Sequence, residues 1–215
     1  MKGEKSFKKE RKAVASFIKR LYRQGLTTTS GGNISLRLSD DIIAITPSGT
    51  DKGRMKWKEV GLMTLLGENL TEHLIPSMEY EMHLSVYRKH TEINSVVHAH
   101  PLFASSFTAM KCKIYTNLTA EACALLGEPK LVPYALMGSK ELAETVAENL
   151  RYSTVLLLEN HGILTAGDTI LQAFDRLELI ENAARMTVIT ELMRKRNPLS
   201  RSRMFEIEKL FRPQP

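Results

Sequence analysis

The stretch NISLRLSDDIIAI, residues 33–45, constrains the fold more than any other part of this chain. Ile34, Leu36 and Leu38 alternate with Asn33, Ser35 and Arg37, the period of a half-buried strand. The turn Ser39-Asp40-Asp41 follows, then the apolar run Ile42–Ile45, then a second turn signal, Thr46-Pro47-Ser48-Gly49. The two strands read as a hairpin, so their pairing is antiparallel and a purely parallel doubly wound sheet is excluded.

Helical and strand patterns alternate around this hairpin. Val14, Phe17, Ile18 and Leu21 form one apolar helical face, and Gly25 ends that helix. A further strand pair is expected over residues 62–70, with Gly67 and Asn69 at its turn. Pro76 and Ser77 open a helix running to about His90, with Ser77 as N-cap and Glu79 in the first turn. INSVVHAH (93–100) is the next strand, followed by helices near 101–110 and 118–126 and a strand over 130–135. A helix from Ser139, a buried strand over 154–160, a long helix from Asp168 to about Arg196 and a short terminal helix complete the chain. Hairpins interrupting a strand-helix alternation predict an α/β fold with a mixed sheet covered by helices. With 215 residues, no internal repeat and no Gly/Ser/Pro linker, one domain over 1–215 is expected.

Composition narrows the function classes. At 43% apolar and 25% charged, the chain is neither disordered nor fibrous. Its longest apolar run, Val155–Leu158, is far below the roughly 20 residues that span a bilayer, and the lysine-rich N-terminus lacks the apolar stretch of a signal peptide. A cytoplasmic protein without a membrane partner is expected. Cys112 and Cys123 have no CxxC partner and read as reduced, structural thiols. The net charge of +6 comes largely from basic residues at the two ends, which read as solvated helix faces. No nucleic-acid motif accompanies them, so no nucleic-acid partner is expected.

His98 and His100 lie two apart on a strand, so their side chains share a face at about 6–7 Å, a spacing one metal ion can bridge. The same pair also fits two polar residues at a strand end. His161 follows a buried strand and precedes Gly162, where strand ends present polar groups to a cleft. Glu79 adds a carboxylate near a helix N-terminus. Three histidines with one displaceable carboxylate make a complete zinc ligand set that opens one position to substrate. His83, one turn after Glu79, reads as a ligand, a supporting residue or a satisfied histidine. TSGGNIS, TPSG and Ser77 combine glycines with hydroxyl and amide donors beside strand ends and a helix start, which together suit a phosphate.

In this order and spacing, SGGNIS, ITPSG, PSMEYEMH, VVHAHP and ENHG resemble the class II aldolase/adducin family over about residues 8–190, and within it the L-fuculose-1-phosphate aldolase type. The resemblance implies a single three-layer α/β/α domain around a mostly antiparallel sheet, assembled as a homotetramer, with residues 197–215 as a helical tail. It implies one Zn²⁺ per subunit on His98, His100 and His161, with Glu79 both ligand and catalytic acid/base. It implies that Gly32, Asn33, Ser48, Gly49 and Ser77 hold the phosphate of a sugar-phosphate substrate. Met78 departs from the family, which has a second serine there. Phe205 and Phe211 are candidates for the aromatic residues that close over the aldehyde.

The activity so implied is reversible cleavage of a ketose 1-phosphate to dihydroxyacetone phosphate and an aldehyde. Relatives offer pentulose-phosphate 4-epimerase chemistry, in which aspartate usually replaces the glutamate. They also offer methylthioribulose-1-phosphate dehydratase chemistry, for which Glu121 is a candidate acid/base, and decarboxylation of sugar-acid phosphates. The adducin head adds a noncatalytic interaction module, which has no need of the three histidines and Glu79.

Overall fold

The computed structural model describes residues 7–211. Helix α1 (Lys8–Arg23) buries Val14, Ala15, Ile18 and Leu21. Strands β1 (Asn33–Arg37) and β2 (Ile42–Ile45) form the hairpin read from sequence, with Leu36 opposite Ala44. Strand β3 (Gly61–Thr64) adds to β2, Ile43 facing Met63. The strand pair expected over 62–70 is reduced to an isolated bridge between Met63 and Asn69. Asn69 instead closes a local turn, accepting from the Thr71 N–H and donating to the Leu74 carbonyl.

Then follow α2 (Tyr80–Lys89), β4 (Ser95–Ala99), α3 (Leu102–Met110), α4 (Ala120–Leu126), β5 (Lys130–Val132) and α5 (Lys140–Asn149). The chain ends in β6 (Val155–Leu158), β7 (Gly162–Gly167), α6 (Ile170–Leu192) and α7 (Arg201–Phe211). Strand β7 was not expected. Its run is short and bounded by glycines, and the loop joining it to β6 is only residues 159–161, closed by the His161 N–H on the Leu158 carbonyl at 3.0 Å. Strand β5 stops at Val132, because Pro133 has no N–H for the ladder. Helix α6 begins after Thr169, whose hydroxyl accepts the Gln172 N–H, and ends before Arg194, which is left-handed at φ 51°.

The strand order is β3-β2-β1-β4-β7-β6-β5, and among the described residues every pairing except β5–β6 is antiparallel. The sheet is therefore mixed and mostly antiparallel, as expected. On one face Ile34, Ala44, Val97, Leu157 and Ile163 pack against α1, α3, α4 and α6, with Phe174 and Leu177 central. On the other, Ile43, Val96, Leu156 and Leu164 pack against α2 and α5, through Met82, Val86, Leu142 and Val146. These are the three layers. Strand β4 is buried along its whole length, so its side chains on both faces lie inside the molecule.

The polar face of β1 departs from a half-exposed strand. Asn33 and Ser35 are buried beneath α2, and Arg37 donates to the Tyr87, His90 and Ile93 carbonyls. A polar stripe survives burial only with partners, and α2 supplies them. Cys112 is exposed and Cys123 is buried, and neither forms a disulfide. No helix among the described residues is long and apolar enough to cross a membrane.

Candidate active site

Strand β4 delivers the first two histidines. His98 shares its face with Val96, the side toward α2, and His100 follows two residues later on that same side. Ala99 pairs with Ile163, so the β6–β7 loop lies alongside and brings in His161. One ligating nitrogen from each of the three imidazoles lies within 4.8 Å of the others. Gly162 is fixed by close approach, since a Cβ there would stand 2.6 Å from His100 Cδ2 and 2.7 Å from the Ala99 carbonyl.

Glu79 occupies the N-cap position of α2 rather than its first turn, and Ser77 lies two residues further out. The Ser77 hydroxyl accepts the Glu79 N–H at 3.3 Å. The regular helix starts at Tyr80 because a single turn, closed by the Tyr80 N–H on the Ser77 carbonyl, precedes it. Glu79 is 93% buried, with Oε1 3.1 Å from His161 Nε2 and Oε2 3.3 Å from His98 Nε2. Asn33, paired with His98 across β1 and β4, donates from Nδ2 to Glu79 Oε2 at 2.8 Å and to Ser77 Oγ at 3.1 Å.

The proton positions follow from these bonds. His98 Nδ1 donates to the Ile163 carbonyl at 3.0 Å, so Nε2 of the neutral ring carries a lone pair. That lone pair faces a carboxylate oxygen with no hydrogen between them. His98 Nε2 and Glu79 Oε1 are buried without a hydrogen-bond partner. Two acceptors held together in this way repel unless a cation lies between them. The nitrogen and oxygen donors are those zinc prefers, so the residues present fit a divalent metal.

The segments expected from sequence to bind an anion converge beside this cluster. Ser48 Oγ accepts the Met78 N–H at 3.2 Å, and Ser77 Oγ accepts from Asn33 and Glu79. Neither hydroxyl hydrogen has an acceptor among the described residues. Gly32 is left-handed at φ +66°, and a Cβ there would sit 2.8 Å from the His98 carbonyl. Gly49, at φ +64°, has open space around it and is required only by its backbone angle. Gly32, Asn33, Ser48, Gly49 and Ser77 are thus linked through Asn33–Ser77 and Ser48–Met78. The Met78 side chain is exposed.

Comparison with known proteins fits this arrangement. The profile of the family described as Class II Aldolase and Adducin N-terminal domain matches residues 12–188. The chain belongs to that family. It is 31% identical over 205 residues to a 5-deoxy-D-ribulose 1-phosphate aldolase of Bacillus thuringiensis serovar kurstaki, covering 94% of this chain and 95% of the relative. It is 29% identical to a 3-oxo-tetronate 4-phosphate decarboxylase of Haemophilus influenzae, covering 77% of this chain and 80% of that one. A solved L-fuculose 1-phosphate aldolase superposes with a TM-score of 0.85 at 28% identity, over 94% of this chain and 95% of the other.

In this class II aldolase-family chain, burial sets the charge state of the cluster. It pushes His98 down to about 3 against the pull of the Glu79 carboxylate, and lowers His100 with help from His161. Burial alone would raise Glu79, but the attraction of His98, that of His161, and the Asn33 amide hold it well below the usual carboxylate range. A carboxylate thus faces the neutral His98 imidazole, the protonation a metal requires.

His83 is not a fourth imidazole of the cluster. Its Nε2 donates to Asn33 Oδ1 at 2.5 Å, and its Nδ1 accepts the Ser35 hydroxyl at 2.6 Å, which in turn accepts from Tyr87 at 2.7 Å. This chain fixes the Asn33 amide, because the reverse orientation would set Oδ1 against the Glu79 carboxylate. Sequence reading named His83 but not Ser35 or Tyr87. The signal was there: Glu79, His83 and Tyr87 recur every four residues along one side of a helix, opposite the polar alternation of β1. Phe205 and Phe211 are exposed on α7, which packs against α4. Glu121, exposed at the start of α4, lines a cavity of about 360 Å³ with Tyr115, Asn182 and Arg185, to which none of the three clustered histidines contributes.

Proposed function

We propose that this chain is a zinc-dependent aldolase that reversibly cleaves a ketose 1-phosphate, of the fuculose, rhamnulose or ribulose 1-phosphate type, to dihydroxyacetone phosphate and an aldehyde. The observation that carries the reading is the lone-pair nitrogen of His98 facing the buried Glu79 carboxylate at 3.3 Å, beside two more imidazoles. His98, His100, His161 and Glu79 would hold the zinc, which when bound supplies Lewis-acid polarisation of the ketose oxygens.

The remaining work falls to side chains. Ser48, Ser77 and the amides around Gly32 and Gly49 hold the phosphate, fixing the reacting carbons relative to Glu79. Glu79 moves the proton at C3, and its carboxylate is held ready by the Asn33 amide. Asn33 bonds both Glu79 and Ser77, coupling phosphate position to the acid/base group. The assembly we propose is a homotetramer of one-domain subunits in the cytoplasm.

The test is a panel of ketose 1-phosphates and sugar-acid phosphates read by mass spectrometry, with metal content measured on the same sample. Dihydroxyacetone phosphate plus an aldehyde, lost in His98→Ala, is the expected result. Carbon dioxide release instead would move the assignment to decarboxylation, the activity in the name of the Haemophilus influenzae relative. Turnover by metal-free protein, or by His98→Ala at the original rate, would refute the metal reading.

A further inference from the structure

Lys52 is 99% buried, yet it belongs to neither apolar cluster. Its ammonium donates to the Pro47 carbonyl at 2.6 Å and to Thr50 Oγ1 at 3.3 Å, and the Thr50 hydroxyl itself donates to Pro47 at 3.3 Å. Pro47 and Thr50 flank Ser48 and Gly49, so the ammonium closes the base of the loop whose tip carries those two residues. The Lys52 backbone N–H donates to the Thr29 carbonyl at 2.8 Å, within the segment that leads to Gly32 and Asn33. One residue therefore ties together the two donor loops of the anion cradle.

We propose that Lys52 is the positioning residue of this cradle, bracing both loops from behind and giving them a buried positive charge that favours a phosphate. The inference rests on the phosphate-site reading above.

The missing counter-ion is the physical argument. Both acceptors of the ammonium are uncharged, and no ion pair to Lys52 is found among the described residues. The nearest carboxylate in sequence, Asp51, is turned to the Gly53 N–H at 2.9 Å and to Arg54 at 3.7 Å. Burial alone lowers Lys52 to about 8, so it stays protonated at neutral pH but at a cost. A buried cation is expensive without an anion, and a bound phosphate above the loop would offset that cost. A lysine serving only as a tether to Pro47 would need no charge, because an uncharged donor makes the same bond.

Calorimetric titration with inorganic phosphate separates these roles. It would be run on the unmutated protein, on Lys52→Met, and on Lys52→Gln, which keeps an uncharged donor. Folding is checked by circular dichroism, and metal content is measured alongside. Unmutated protein is expected to bind phosphate, and both variants to bind it about tenfold or more weakly with metal content unchanged. With the preferred sugar phosphate, KM should rise while kcat holds. Phosphate affinity equal to the unmutated protein's in either folded variant would overturn the proposal. No phosphate binding by the unmutated protein would refute the cradle itself, a separate outcome.

Discussion

Replacing His83 with leucine tests the polar chain beneath the site, and its size can be worked out in advance. The leucine fills similar space but strands Asn33 Oδ1, a buried acceptor, at roughly 1–3 kcal/mol, and deletes one Ser35 bond worth roughly 1 kcal/mol. Ser35 keeps its bond from Tyr87. The variant should therefore be about 2–4 kcal/mol less stable near pH 7.5. Acid then changes the comparison. Burial lowers His83 to about 3, outweighing the pull of the Glu79 carboxylate, whereas an unfolded histidine titrates near 6.5. Between those values the unfolded chain binds a proton that the folded chain refuses, so stability is intact above pH 6.5 and falls as pH drops toward 3. At pH 5 this loss is about 2 kcal/mol at His83 in the unmutated protein and absent in His83→Leu. His98, also lowered to about 3, exacts its own loss from both proteins and cancels.

The gap between the two should thus narrow by about 2 kcal/mol from pH 7.5 to pH 5. Urea unfolding of chelator-treated protein, followed by circular dichroism at both pH values, measures it. A gap of the same size at the two pH values would mean that His83 is not a neutral buried imidazole, and the hydrogen-bond chain derived from it would fall.

Two further substitutions probe how the cluster is held. Gly162→Ala forces a Cβ onto the His100 ring and the Ala99 carbonyl, so it should lower both the melting temperature and the bound-metal stoichiometry, read by thermal melts and elemental analysis. Glu181, buried on α6, accepts the Ala104 N–H at 2.8 Å and the Phe103 N–H at 3.3 Å, capping the helix that follows His100. Glu181→Ala should cost about 1–3 kcal/mol and weaken metal binding in a competition titration with a chelating dye, whereas unchanged metal affinity would show that α3 does not position His100.

The hairpin at 33–45 and both faces of the sheet were legible because local periodicity and pairing agree there. The histidines were legible for a different reason, since a two-residue spacing on a strand fixes a common face without any tertiary information. Strand β7 was not legible. A segment as short as Gly162–Gly167 acquires strand geometry from β4 and β6 on either side, which no local pattern reports. The polar residues of β1 show the same limit from the other direction. Alternation predicts two faces, but whether the polar one meets water or a helix depends on what lands on it. Here α2 lands on it with a matching polar stripe, so Asn33 becomes the link between the Glu79 carboxylate and Ser77 instead of a solvated amide. Lys52 carried no local signal, because a lysine in a glycine-containing loop is ordinarily solvated. Its burial is imposed by two loops meeting over it, and that meeting also aims Ser48 and Gly49 toward the neighbourhood of Ser77. The clustered histidines and Glu79 were therefore nameable from spacing, while the residues that hold them in place became visible only once non-adjacent segments were packed together.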